Sequence, residues 1–458
     1  MTSEEQIFRR RLWAGSGLFL LTLGIRLLPA WLLKHEVADM QTYRTVANAV
    51  GHGDNVYAFP ITFPYVPYSQ FIPAWLLAVA ERTGWSFDFV MKIPMILTDA
   101  CTTLLIFGYL QWRALPFRLS VGWALAWALN PVSILISAFH GNLMSIVPFL
   151  ALAAYVSAEV GETSRNRDLL LLVSGLLLGL AIAMRTYPVL LVPVFLLLFC
   201  RTVSETAAFI FVAAVPAGLS SLPYLFLARE TFLREVLGYG RLTDFGWVSV
   251  LRAMAFIAGG HRVLSVDPVL LSRTKELFLG AYLLVCLTMP FFSRSALGRA
   301  LMIAPLLFYA LYGGVSAQYL VWVLPFAVLL RQRLTFPFTG AATAALVAFY
   351  SIYHPGILTG HSPSPITGDE LWVWVMYVAA NVLLVFLSLT WVMLIVGAEL
   401  RSYLQTRRQA PVPWLQGAQW LWSSRSYAVI LLLFFAGWLT IAYSAGHRAR
   451  EVARVILP

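Results

Sequence analysis

Residues 169–200 read LLLLVSGLLLGLAIAMRTYPVLLVPVFLLLFC, and Arg185 is the only charged residue among them. A run of about 20 apolar residues, at about 1.5 Å each, is what a helix needs to cross a bilayer. Here two apolar runs, 169–184 and 187–200, are separated only by the break around Arg185. They read as a helix pair, broken or tilted, of a kind that lipid tolerates where it lines a cavity. The same pattern recurs outward on both sides. Further candidate spans are 13–33, 89–111, 119–138, 143–160, 205–228, 276–292, 300–313, 317–330, 335–353, 371–397 and 427–446. The expected fold is an all-α integral membrane bundle, polytopic, of about 11–13 transmembrane helices.

Composition agrees. Of 458 residues, 60% are hydrophobic and 12% charged. Soluble domains average roughly 45–50% and about 25%. A soluble chain could not hide that much apolar surface. The formal charge of +11 would suggest nucleic-acid binding in a soluble protein. In a membrane protein it reads as basic residues at the cytoplasmic ends of spans, with no nucleic-acid partner. Cys101, Cys200 and Cys286 lie far apart in apolar runs and read as core residues. The first apolar run follows Arg9, Arg10 and Arg11 without a small-residue cleavage site, so it reads as a retained span. Lysine occurs only at Lys34, Lys92 and Lys275. That arginine bias suggests a GC-rich, bacterial genome and hence a cytoplasmic membrane.

Orientation follows from arginine. A cytoplasmic N-terminus puts Arg9 to Arg11, Arg113, Arg118, Arg165, Arg167, Arg201, Arg294, Arg299, Arg331, Arg333, Arg401, Arg407, Arg408 and Arg425 inside. The turns near 139–142, 313–317 and 354–370 carry no Arg or Lys and fall outside. Arg448, Arg450 and Arg454 break the alternation if all thirteen spans cross. Two long loops, 34–88 and 229–275, face the same outer side, where one active site could draw on both. Within the first, 71–80 reads as an interfacial helix anchored by Trp75. The expected division is a catalytic module over 1–330, including both loops, and C-terminal helices over 331–458.

Several residues carry possible chemistry. Asp39 follows the first span, where a carboxylate can act as a general base or cap the next helix. Glu36 competes for that role, and Asp54 reads as a turn residue beside two glycines. Asp99 and Arg26, each inside an apolar run, read as a buried ion pair. Arg185, before Tyr187 and Pro188, presents a permanently charged guanidinium that suits phosphate better than headgroup snorkelling. His140, Gly141 and Asn142 make a tight turn; the histidine either bonds a phosphate or sugar or caps the turn. Gln318 wants a partner at the end of a span, whereas Tyr319 and Trp322 there suit an aromatic belt. No metal-binding pattern, DxD after Asp39 or phosphate-binding GxxxxGK[ST] occurs, so neither a metal cofactor nor ATP-driven transport is expected.

Taken in order, these pieces resemble the GT-C glycosyltransferases, over most of 13–330. The order is Asp39 with Tyr43, then Gly53 to Tyr57, Asp99, the Asn130-Pro131 to Asn142 stretch, Arg185 to Pro188, and Ser316 to Trp322. The likeness is strongest to families that use polyprenol-phosphate mannose, and in outline to the enzyme adding the first mannose of the GPI anchor. The resemblance implies inverting transfer of a sugar, mannose by this analogy, from a polyprenyl-phosphate donor. The acceptor would be a hydroxyl on a glycolipid, glycan or protein, outside the membrane, and no cofactor would be needed. It implies Asp39 as base. Donor phosphate would meet Arg185, Tyr187, His140 and Gln318, with Glu36, Tyr43, Asn142, Asp99 and Tyr319 as further candidates. Two rivals share the composition. A lipid-linked sugar flippase would place its polar residues near the bilayer midplane. A ligase for an undecaprenyl-diphosphate glycan would use loop cations such as Arg229, Arg234, Arg241 and Arg252.

Overall fold

The computed structural model describes residues 3–33, 38–58, 63, 65–237, 244–257, 268–359 and 371–409. Among them the chain is all-α. Its one β feature is an isolated antiparallel bridge between Phe245 and Val315. Ten helices are long and apolar enough to cross a membrane: Glu4–Leu32, Phe87–Trp112, Phe117–His140, Leu143–Gly161, Arg167–Met184, Val203–Leu227, Arg273–Phe291, Arg294–Leu311, Thr335–Tyr353 and Leu371–Arg401. Two shorter apolar helices, Tyr187–Phe199 and Ala317–Leu329, complete the bundle. The expected span at 427–446, and with it Arg448, Arg450 and Arg454, lies outside the described residues.

Several boundaries differ from expectation for one reason. The first helix starts at Ser3 rather than near residue 13, and Arg294 opens a helix expected at 300. Arginine ends a hydrophobic run but not a helix, since its helix propensity is high. Starts are instead set by caps. Ser293 accepts from the Ala296 amide at 3.3 Å. Thr202 accepts from the Glu205 amide at 3.0 Å, while Glu205 reaches back to the Arg201 amide at 2.7 Å, a reciprocal cap.

One end of the bundle is clamped by ion pairs. Glu162 meets Arg167 (3.0 Å), Arg201 (2.7 Å) and Arg294 (3.0 Å), and Glu159 meets Arg113 at 3.0 Å. Arg167 also pairs with Glu205 at 2.9 Å and donates to the Phe199 carbonyl at 2.6 Å. Inside the bundle Arg26 bonds Asp99 at 2.8 Å with both side chains at most 1% exposed. The same guanidinium donates to Ala128 O (2.7 Å) and Ser133 Oγ (2.5 Å). Thus three spans are tied at one buried point.

Both long loops contain structure. The first holds helices Ala38–Gly51 and Phe71–Thr83. In the second of these Phe71 and Trp75 are exposed while Leu76 and Ala80 are buried. Asp54 is exposed, its amide bonded to Ala49 O at 2.8 Å beyond left-handed Gly53. The second long loop holds Arg229–Leu237 and Gly246–Ile257. Its centre is pinned to the last described span. Asn381 Oδ1 accepts from the Gly246 amide (3.1 Å) and from Tyr309 Oη (3.0 Å).

Candidate active site

At the end of the bundle opposite the Glu159–Glu162 clamp, helix Ala38–Gly51 brings Asp39 against the His140-Gly141-Asn142 turn. His140 Nε2 lies 2.9 Å and Asn142 Nδ2 2.6 Å from the same oxygen, Asp39 Oδ2. A carboxylate only accepts, so Nε2 carries a proton, and in the neutral ring Nδ1 accepts from Tyr350 Oη at 3.0 Å. Asp39 is surrounded by protein, yet 31% of its side chain stays accessible. Burial alone would raise its pKa. The hydrogen bond and charge of His140, then the Asn142 bond and the charge of His354, outweigh that and hold it below the ordinary value.

Local sequence explains the turn. The helix Phe117–His140 ends in a wide π-type turn, and Gly141 closes it at φ 73°. A Cβ there would stand 2.1 Å from Met40 Cε and 2.9 Å from Lys92 Cγ. Only glycine lets the turn approach the Asp39 helix this closely. Asn142 then begins the next span, its Oδ1 accepting from the Met144 amide at 3.0 Å.

A tyrosine pair leads from Asp39 to Arg185. Tyr43, one turn after Asp39, has its hydroxyl 3.0 Å from that of Tyr65. The guanidinium of Arg185 stands over the Tyr65 ring, 4.7 Å from its centroid. Burial, then the negative charge of Asp39, push the Tyr65 phenol up to about 12, while Arg185 pulls it down. Both charges therefore act on this one ring.

Arg185 ends its span, is 7% exposed, and donates to Tyr319 Oη. It lines a cavity of about 740 Å³, counting the space at its open mouth. Tyr187 and Trp322 form the cavity's stacked aromatic wall, centroids 3.5 Å apart at 11°. They belong to the two short helices. Each of those helices has 13 residues, about 20 Å of rise against about 30 Å of hydrocarbon. The first of them meets the clamped face at Phe199, whose carbonyl accepts from Arg167.

The sequence-derived candidates thus fall into two adjoining groups. Asp39, His140 and Asn142 share one hydrogen-bonded cluster, with Tyr43 one turn on and bonded to Tyr65; Arg185, Tyr187 and Tyr319 share the cavity. Gln318 is buried beside them, its Oε1 accepting from Ser316 Oγ at 2.9 Å. Asp99 sits with Arg26 in the bundle interior, and Glu36 lies outside the described residues. Sequence reasoning missed Tyr65, Tyr350, His354 and Lys275. Tyr350 and His354 stand at a span end, where an aromatic or a turn residue has an ordinary explanation. They lie beyond residue 330, so the C-terminal helices reach the site. Lys275 lines the cavity, and its signal was rarity: it is one of three lysines in an arginine-rich chain. Among the described residues no group of three His, Cys, Asp or Glu could hold a metal ion.

No family model and no curated protein matches the chain. Among solved structures it is similar to the archaeal oligosaccharyltransferase AglB from Archaeoglobus fulgidus, solved in complex with an inhibitory peptide and a dolichol-phosphate. Identity is 14%, over 97% of this chain and 56% of that chain, at a TM-score of 0.36. This chain spans little more than half the length of that protein. A likeness that distant says nothing of activity, which has to be read from the site.

Proposed function

We propose that the protein is a membrane glycosyltransferase of the GT-C kind. It transfers a sugar from a polyprenyl-phosphate donor to an acceptor hydroxyl at the extracytoplasmic surface. The observation that supports this is the pairing of a partly accessible, hydrogen-bonded carboxylate, Asp39, with a cation, Arg185, set over an open cavity and joined to it through Tyr43 and Tyr65. A flippase needs no such base.

Asp39 Oδ2 is fixed by His140 and Asn142, while no described side chain bonds Oδ1. Oδ1 accepts the acceptor's proton as its oxygen attacks the anomeric carbon. The bond from that carbon to the phosphate oxygen breaks, and the electron pair leaves with the phosphate. Arg185 faces the charge that develops there. A phosphate is a good leaving group, so no general acid is required, and with Arg185 meeting the charge we propose that no metal is needed. A carboxylate with a depressed pKa is a modest base. It suits a proton taken late, once the new bond has made the acceptor oxygen acidic.

The open cavity beside Arg185 suits a lipid that enters sideways with its isoprenoid tail in the bilayer. The monophosphate is preferred to a diphosphate because Arg229 and Arg234 are exposed and do not line the cavity. Arg241 and the side chain of Arg252 lie outside the described residues. Mannose remains the proposed sugar on the motif resemblance. The catalytic module is proposed over 1–330, aided by Tyr350, with the clamped arginine face in the cytoplasm of a bacterial cell. The test is transfer of radiolabel from polyprenyl-phosphate mannose to a lipid extract by protein in nanodiscs. Label that stays on the donor with wild type, but crosses sealed vesicles, would replace this reading with a flippase.

A further inference from the structure

A second cation lines the same cavity. Lys275 lies near the start of the candidate span Arg273–Phe291. It shares a helix face with Phe278 (3% exposed) and Tyr282 (0%), at spacings of three and seven. Its neighbours Arg273 and Glu276 point outward and pair with each other at 3.0 Å. Thr274 fixes this register by accepting from the Gly313 amide at 3.0 Å. An ionisable residue placed in a span and turned inward marks a functional site. The cavity wall adds two donors. Tyr187 Oη and Trp322 Nε1 are buried with no hydrogen-bond partner, and both residues line the cavity.

Charge counting says what a second cation is for. This deepens the donor reading above and rests on it. A sugar linked through a polyprenyl phosphodiester carries one negative charge. When the carbon–oxygen bond breaks and its electron pair stays on oxygen, the phosphate becomes a monoester with a second ionisable oxygen. Arg185 alone balances the donor; Arg185 with Lys275 balances the product. The geometry points to Lys275 as a leaving-group residue that binds the second phosphate charge as it forms, favouring the transition state and the released polyprenyl phosphate over the bound donor. An interaction that grows along the reaction raises turnover without tightening substrate binding.

The experiment compares two lipids on full-length protein in nanodiscs: polyprenyl phosphate, and its methyl diester, which stays singly charged. Binding of each is measured at pH 5 and pH 7, because a phosphate monoester loses its second proton near pH 6. Wild type is expected to favour the monoester at least about tenfold at pH 7 and to lose that preference at pH 5. Lys275→Gln should abolish the preference while leaving diester affinity within about twofold, and Lys275→Arg should restore it. Turnover of Lys275→Gln should fall with little change in KM. Equal weakening of both lipids by Lys275→Gln, or a preference that survives it, overturns the assignment and leaves the donor reading standing. Wild type that binds neither lipid overturns the donor reading itself.

Discussion

Asn142 Nδ2 and Asp39 Oδ2 stand 2.6 Å apart although 103 positions separate them in the chain. The same Asn142 side chain caps the following helix through its other end. One residue therefore sets both the start of a span and the orientation of the carboxylate. The loop helix that carries Asp39 is thereby tied to the bundle, which suits chemistry that needs reacting atoms held at about 3 Å.

Asp39→Asn removes the proton acceptor and keeps the shape. Turnover should fall by about 10²–10⁴, the usual contribution of a positioned base. Thermal unfolding in detergent should shift little, because the bond from Asn142 can be kept. Near wild-type transfer by this variant would remove Asp39 from the mechanism.

The pH profile offers an independent check. The Asp39 carboxyl is held below its ordinary value, so the anion and its stabilising bonds persist above about pH 4 and are lost as pH falls through the depressed pKa. Wild-type activity should show no Asp39-dependent acid limb between pH 5 and 8. His140→Ala removes the largest opposing contribution and leaves burial to raise the pKa. Its acid limb should move upward, read from turnover against pH. An unchanged limb would mean that His140 does not set the ionisation of Asp39.

The fold was legible in the sequence because lipid leaves few options. Apolar runs, arginine at their ends and a costly Arg26–Asp99 pair all carry energies of several kcal/mol each. The Asp39–His140–Asn142 cluster was half legible. The residues could be named, but not that His140 joins Asp39 rather than the cavity around Arg185. That assignment depends on the wide turn before Gly141, which no periodicity announces. Tyr350 was hidden because an aromatic at a span end has an ordinary explanation in the interface belt, and Tyr65 because a loop tyrosine belongs to no periodic pattern.

Gly141→Ala tests that turn. Alanine at φ 73° costs about 1–2 kcal/mol, and its Cβ must also displace Met40 and Lys92. The variant should lose activity by more than its stability loss explains, since Met40 adjoins Asp39. Activity that survives in proportion to folded protein would show that the close approach is only structural.

Arg185 offers a graded test of phosphate recognition. Arg185→Ala should lower kcat/KM by about 10²–10³, as for loss of a donor to a developing oxyanion. Arg185→Lys keeps the charge but loses the planar fork and the stacking on Tyr65, so it should recover only part of the activity. Full recovery would show that a point charge is enough there.

The Arg26–Asp99 pair separates stability from catalysis. Breaking a buried pair by removing one partner costs about 3–5 kcal/mol, because the other charge is left in an apolar interior. The two single variants should not be equal. Arg26 also donates to Ala128 O, next to the carbonyl of Trp127, at the end of helix Phe117–Ala128. Arg26→Met therefore strands helix-end carbonyls as well as a carboxylate, whereas Asp99→Asn strands only the guanidinium. Unfolding temperature should drop further for Arg26→Met. Arg26→Met with Asp99→Leu should regain stability only in part, the helix-end carbonyls staying unsatisfied. Specific activity per folded molecule should hold throughout, since neither residue touches the Asp39 cluster or lines the Arg185 cavity. Loss of activity in a stably folded double variant would place the pair in the reaction instead.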